Sequence, residues 1–274
     1  MIRKLAVVGG GAMGEALLAA AIAQEVCSPK AITVGEPVAS RREHLQQTHG
    51  IAVDSDNVNV VAGADVVILA VKPQHAQAAL PPLQDALSQD ALVISIMAGV
   101  PLSTIGSLLD HQHLVRAMPS ILATIGEAAT VWTASTETTT DQRSQAQALF
   151  QAAGLELFVP DEHYLDMATA VNGSGPGFVF LLLEALIDGA VRVGLPRDTA
   201  TALIVQTVKG SALLAQNDER HLAELRNLVT SPGGTTAEGL QALEQGGVRA
   251  ALQDAVMAAY RRSQALAAPD SNNR

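Results

Sequence analysis

Residues 3–14 read Arg3-Lys4-Leu5-Ala6-Val7-Val8-Gly9-Gly10-Gly11-Ala12-Met13-Gly14, and this stretch sets the fold. A short apolar run ends in three glycines and passes directly into the Ala/Leu-rich segment 12–25. The pattern predicts a buried strand over 3–8, a tight turn, and a helix over 12–25. Gly9, Gly11 and Gly14 fit the spacing Gly-x-Gly-x-x-Gly. Gly9 makes the turn, Gly11 lets a pyrophosphate approach the backbone, and Gly14 lets helix and strand pack closely. Ala12 and Met13 open the helix, whose N-terminal N–H groups stabilise an anion. The alternative for these glycines is a turn that has lost its ligand.

Strand patterns recur at 31–34, 65–71 and 91–96, and helical patterns at 38–48 and 74–87. Such alternation predicts a parallel sheet with right-handed crossovers. Further strands are expected at 113–117, 128–133 and 155–159, with a helix at 139–152. Strand signals then stop. From 161 to 267 the chain reads as helices punctuated at Gly173–Gly177, Gly194–Pro196, Ser231–Gly234 and Gly246–Gly247. The expected fold is α/β: an N-terminal Rossmann-type doubly wound sheet over 1–160, then an all-α domain over 161–274. The polar tail Pro269 to Arg274 is expected to fray.

The 274 residues are 48% hydrophobic and 16% charged, enough for a sizeable core. A net charge of −10 argues against nucleic acid or an anionic membrane as main partner. Cys27 is the only cysteine, so no intrachain disulfide forms, in keeping with a reducing cytoplasm. No signal peptide is read at the N-terminus, and no unbroken apolar run reaches 18 residues, so no membrane span is expected. No metal-ligand spacing stands out, and none of the seven histidines has a convincing catalytic place.

In an open parallel sheet, ligands lie beyond the carboxyl ends of the strands. Four groups of residues fall there. Glu36, at the end of the second strand, can accept ribose hydroxyls and repel a 2′-phosphate, which favours NADH. Arg41 and Arg42 follow a turn later and either bind that phosphate or form a solvated helix face. Ala70-Val71-Lys72-Pro73 closes the 65–71 strand and aims Lys72 at cofactor or substrate, unless Lys72 merely pairs with a surface carboxylate. Ala98 and Gly99, after the 91–96 strand, leave room for a flat ring.

The run Phe178 to Val193 is apolar except for Glu184, Asp188 and Arg192. One narrow polar stripe marks a helix covered on most sides. A helical domain of about 100 residues supplies limited cover, so a second subunit is expected.

Residues 229–236 read Val-Thr-Ser-Pro-Gly-Gly-Thr-Thr. Pro232 fixes φ, and Gly233 and Gly234 allow N–H groups to converge on an anion, with a helix expected from Glu238 behind them. Ser231, Thr235 and Thr236 add hydroxyls. A capped helix–helix turn is the structural alternative.

The chain resembles the Δ1-pyrroline-5-carboxylate reductase family. Gly9 to Gly14, Ala-Val-Lys-Pro-Gln at 70–74, Ser-Ile-Met-Ala-Gly at 95–99, Ala-Val-Asn-Gly-Ser-Gly-Pro-Gly at 170–177, and the 229–236 block carry the resemblance in order along nearly the whole chain. It implies reduction of a cyclic imine carboxylate to L-proline by NADPH or NADH, with the resemblance leaning toward NADPH where Glu36 leans toward NADH, and a homodimer or larger assembly with interleaved C-terminal helices. Substrate would be bound by Ser231, Gly233, Gly234, Thr235 and Thr236, with the Thr236 hydroxyl at the ring nitrogen. Thr236 and Lys72 are the candidate catalytic residues. Ser174 is read as N-cap of the long helix, with Pro176 in its first turn. One departure stands out: after Arg116-Ala117-Met118-Pro119 the family usually continues Asn-Thr-Pro, and this chain has Ser120-Ile121-Leu122. Rival readings are a reductase of another cyclic imine or of a β-hydroxyacid, and a non-enzymatic dinucleotide-binding regulator.

Overall fold

The computed structural model describes residues 2–267; the frayed tail expected from Pro269 lies outside them. Among these residues, eight strands form one sheet: β1 Leu5–Val8, β2 Ile32–Gly35, β3 Ala52–Asp54, β4 Val66–Leu69, β5 Leu92–Ser95, β6 Leu114–Met118, β7 Ala128–Ala134 and β8 Gly154–Phe158. Their order is β3-β2-β1-β4-β5-β6-β7-β8. All neighbours are parallel except β6 and β7.

The apolar strands are continuous because both faces are covered. Successive side chains of β1 point to opposite faces. Leu5 and Val7 join Leu17, Leu18 and Phe150 on one side, while Ala6 and Val8 join Val60, Leu80 and Leu109 on the other. The helices that supply this cover are α1 Ala12–Ala23, α2 Ala39–His49, α3 Asn57–Val61, α4 Ala76–Ala79, α5 Leu102–Leu109 and α6 Thr140–Ala153. The last starts in a capping box: Thr139 accepts from Gln142 N, and the Gln142 side chain accepts from Thr139 N.

The helix expected over 74–87 is corrected. It is three pieces: a 3₁₀ turn Pro73–His75, the four-residue α4, and a 3₁₀ stretch Pro81–Ala86. Pro81 and Pro82 lack N–H donors, so no α-helix passes through them. The short β3, α3 and α5 carry too few residues for a periodic signal, and the sequence reading passed over them.

Helix α7 (His163–Ala168) leads into a π turn, Thr169–Gly173, and then α8 (Gly175–Arg192). Ser174 therefore does not cap a helix start. Its backbone is helical, at φ −87° and ψ −25°. Its N–H and hydroxyl both donate back to the Thr169 carbonyl, at 3.0 and 3.2 Å. The glycines at 173–177 are absorbed into a continuous helix, His163–Arg192.

At 30 residues and mean hydropathy 1.5, this helix is long and apolar enough to cross a membrane by length and composition, a property the core helix of a soluble protein can share, and Glu184 and Asp188 break its apolar run.

The chain divides into two compact units: residues up to 174 together with the chain from 259 on, and residues 175–258. The second holds α8, α9 (Arg197–Asn217), α10 (Leu222–Leu228), α11 (Thr235–Gln245) and the start of α12 (Val248–Ala267). It has almost no interior of its own. No residue of α8 is buried, and Phe180 and Leu181 are 58% and 65% exposed.

Candidate active site

The three motif glycines are required for three different reasons. Gly9 has φ +107°, and a Cβ there would lie 2.8 Å from the Ala70 carbonyl carbon and oxygen. At Gly14 a Cβ would stand 2.4 Å from the Gly9 oxygen and 3.2 Å from the Ala70 Cβ. At Gly11 a Cβ would meet nothing within 4 Å. The space over Gly11 is open, and no side chain caps the N-terminus of α1. The donors of Ala12 and Met13 thus begin a helix beside open space. The residues present fit a dinucleotide pyrophosphate.

Parallel pairing brings the other candidates to the same edge. Val8 is level with both Gly35 and Leu69, and Leu69 with Ser95. Gly9, Glu36, Ala70–Pro73 and the 96–99 segment therefore leave the sheet side by side. Lys72 is exposed and makes no ion pair among the described residues, so the surface-pair alternative finds no partner. Gly99 is buried at φ +71°, and Ala98 is half-buried.

Glu36 is 9% exposed. Its Oε2 accepts from Gly10 N at 3.2 Å and its Oε1 from Val38 N at 2.9 Å. Both arginines are engaged rather than simply solvated. Arg41 Nε donates to the Gly10 carbonyl at 2.7 Å, and its Nη2 pairs with Glu15. Arg42 Nη1 donates to the Glu36 and Pro37 carbonyls at 2.7 and 2.8 Å. Glu15 also meets His44 at 3.2 Å and His49 at 2.9 Å. Burial alone would raise the Glu15 carboxyl, but the bonds from His49 and Arg41 and the Arg41 charge hold it below the usual value. The sequence reading missed Glu15. The available signal was an acidic residue next to Gly14, facing a helix that carries Arg41, Arg42, His44 and His49.

The carboxyl end of β6 holds a second unforeseen group. Arg116, 2% exposed, pairs with Glu162 at 2.8 Å and Asp166 at 3.2 Å. Glu162 also accepts from Leu102 N at 2.8 Å, so one carboxylate fixes the starts of α5 and α7. Asn172, on the π turn, donates to the Met118 and Ala129 carbonyls. Ser120 is buried and its hydroxyl has no partner, whereas Ile121 is 42% exposed at the start of a 3₁₀ turn. His111 is buried, 2.7 Å from the Ala91 carbonyl, and burial pushes its pKa down; it is a packed residue away from this edge.

In the second unit, the 229–236 loop joins α10 to α11. Gly233 takes φ +66°. The helix begins at Thr235, not at Glu238, because Gly234 already accepts its first bonds from Ala237 and Glu238. The Gly234 N–H closes the turn onto the Ser231 carbonyl at 3.0 Å. It is therefore not available to an anion, which corrects the expectation that both glycines offer donors. The first-turn N–H groups of Thr235 and Thr236 have no intrahelical acceptor and no side-chain cap.

Known proteins match along the whole length. Residues 162–266 fit the family model described as pyrroline-5-carboxylate reductase dimerisation, and residues 4–99 fit that of an NADP oxidoreductase, coenzyme F420-dependent. A pyrroline-5-carboxylate reductase of Synechocystis is 44% identical over 96% of this chain and 98% of its own. The chain belongs to the pyrroline-5-carboxylate reductase family. Solved structures agree. The enzyme of Coxiella burnetii has a TM-score of 0.89 at 33% identity, covering 98% of this chain and all of its own. That of Plasmodium falciparum, solved with NADP bound, has 0.88 at 27%, covering 97% and 98%. The matched dimerisation segment contains α7 to α11 whole and α12 as far as 266, including the exposed apolar face of α8.

Proposed function

We infer that this chain reduces Δ1-pyrroline-5-carboxylate to L-proline with NAD(P)H. The observation that carries this is 44% identity to a pyrroline-5-carboxylate reductase over nearly both full lengths. The rival readings lack comparable support. The 120–122 departure alone favours them, and Ser120 there is buried at the end of β6.

Bound NAD(P)H supplies the hydride. The pyrophosphate would be held at Gly9, Gly11, Ala12, Met13 and Gly14, the adenosine ribose by Glu36, and the nicotinamide end by Ala70, Val71, Lys72, Pro73, Ala98 and Gly99. The substrate carboxylate is taken by the Thr235 and Thr236 N–H groups and the Ser231 hydroxyl, with Gly233 and Gly234 shaping the turn. The Thr236 hydroxyl contacts the ring nitrogen. Hydride delivered to the imine carbon would send the C=N electron pair to that nitrogen, which would keep its proton or take one from the hydroxyl or from water. Lys72, the other candidate catalytic residue, would add positive potential at the nicotinamide end. Positioning supplies most of the acceleration, so no strong side-chain acid is required.

The working assembly is a homodimer or larger, because α8 leaves its apolar side chains uncovered. We divide the chain at 160/161, where strand signals end, just before the dimerisation match that starts at 162, and place the protein in the cytoplasm. The direct test is NADH and NADPH oxidation with a panel of cyclic imines. Turnover of pyrroline-5-carboxylate above all others is expected; a preference for a different imine would overturn the substrate assignment.

A further inference from the structure

We propose that Glu36 and Glu15 together make this enzyme select NADH over NADPH. Glu36 acts at the adenosine ribose. Glu15 acts as a positioning residue that holds Arg41 out of service as a phosphate ligand. The proposal rests on the reading of the Gly9–Gly14 turn as the cofactor site.

A 2′-phosphate needs a cation with free donors where β2 ends. Three side chains near that point could attract or repel it, and each is already bound. Glu36 is fixed by the Gly10 and Val38 N–H groups, so its carboxylate cannot swing away to admit a second anion. Gly10 adjoins Gly11, which ties that negative charge to the cofactor turn itself. Arg42 is turned back onto the Glu36 and Pro37 carbonyls. Arg41 is the remaining cation. Its Nε is taken by the Gly10 carbonyl, and its charge is matched by Glu15 in a half-buried pair, 28% and 22% exposed.

The Glu15 carboxylate is in turn held in place from α2. His44 and His49 both approach its Oε1, while Arg41 takes Oε2. Three side chains from α1 and α2, Glu15, His44 and His49, thus fix the arginine beside the turn without leaving its charge uncompensated. Two ribose hydroxyls can donate to the remaining lone pairs of Glu36. A 2′-phosphate would meet the Glu36 carboxylate while Arg41 is paired with Glu15 and Arg42 is held through Nη1 on two carbonyls, and repulsion at close range in a shielded site is worth about tenfold or more in affinity.

The test is direct titration by nicotinamide fluorescence, independent of turnover. Wild-type protein is expected to bind NADH at least about tenfold more tightly than NADPH. Glu36→Ser should narrow that ratio by about tenfold. Glu15→Gln should also narrow it, by about threefold or more, through tighter NADPH binding. Adding Arg41→Ala to Glu15→Gln should abolish that gain, which a merely structural role for Glu15 would not require. Thermal melting of each variant confirms that it is folded, and the wild-type ratio needs no variant. Equal or tighter NADPH binding by the wild type overturns the proposal. A Glu15→Gln variant with an unmoved ratio removes Glu15 from it. Binding of neither coenzyme overturns the cofactor turn and this proposal with it. NADH selection without reduction of pyrroline-5-carboxylate would leave the proposal standing and overturn the substrate reading.

Discussion

The side-chain amide of Asn172 donates to the Met118 carbonyl at 2.7 Å, tying the π turn to the end of β6. Its second hydrogen goes to the Ala129 carbonyl at 2.6 Å, so one side chain bridges the departure of β6 and the start of β7. A π turn inserts a residue into a helix and is uncommon away from functional sites. Here it brings Asn172 within reach of both carbonyls. Asn172→Ala would remove both bonds. A loss of about 2–4 kcal/mol is expected, read as a lower urea midpoint. A shift below about 0.5 kcal/mol would show that water replaces the amide at no cost.

The motif glycines separate folding from binding. Gly11→Val places its side chain in open space, so the fold should survive while coenzyme affinity falls severely. Gly14→Ala should do the reverse, because its methyl meets the Gly9 carbonyl oxygen at 2.4 Å and must displace backbone. Melting temperature and coenzyme titration of the two variants should therefore move in opposite proportion. Normal coenzyme affinity in Gly11→Val would remove the pyrophosphate from this turn.

How much of this was legible follows from where the signals lie. The sheet was readable because each parallel strand is buried on both faces, as at Val66-Val67-Ile68-Leu69, and each long helix repeats an apolar stripe. Ser174 was misread because Ser before Gly-Pro looks like a helix start, and only the bond from its N–H to Thr169 shows that the helix is already running. Glu36 was placed correctly at the end of β2, but its bonds to Gly10 and Val38 depend on a crossing that no local pattern encodes. The Arg116–Glu162–Asp166 group joins residues 46 and 50 positions apart, beyond the reach of any spacing rule.

Assembly is the next expectation. Phe180 and Leu181 lie on a helix with no buried residue, within the segment that matches the family's dimerisation model. Burying such a side chain is worth about 1.5–3 kcal/mol. Wild-type protein should sediment as a dimer or larger at micromolar concentration, and Leu181→Asp should weaken the assembly at least tenfold by placing a carboxylate in an apolar contact. A wild-type monomer in analytical ultracentrifugation would refute the assignment of α8 to an interface.

Thr236 and the 120–122 segment decide between family membership and proline-forming activity. Thr236→Val keeps the side chain's shape in the first turn of α11 and removes the hydroxyl assigned to the ring nitrogen. A hydrogen bond at the reacting centre is worth roughly 2–4 kcal/mol in the transition state, so the rate should fall about thirtyfold or more. Coenzyme affinity should hardly change, because the coenzyme turn is built from other residues. Replacing Ser120-Ile121-Leu122 with Asn-Thr-Pro asks a different question. Ser120 is buried with an unpartnered hydroxyl, so the larger Asn must find room at the end of β6. Ile121 is exposed and tolerates exchange. In an ordinary proline-forming reductase the present segment already supports turnover, and the exchange should change the rate only modestly. Both variants are to be assayed with pyrroline-5-carboxylate at saturating coenzyme. Strong wild-type activity, lost in Thr236→Val and little altered by the exchange, is the expected result. Negligible wild-type activity restored by Asn-Thr-Pro would mean that this chain has kept the family's fold and turned its site to a different imine.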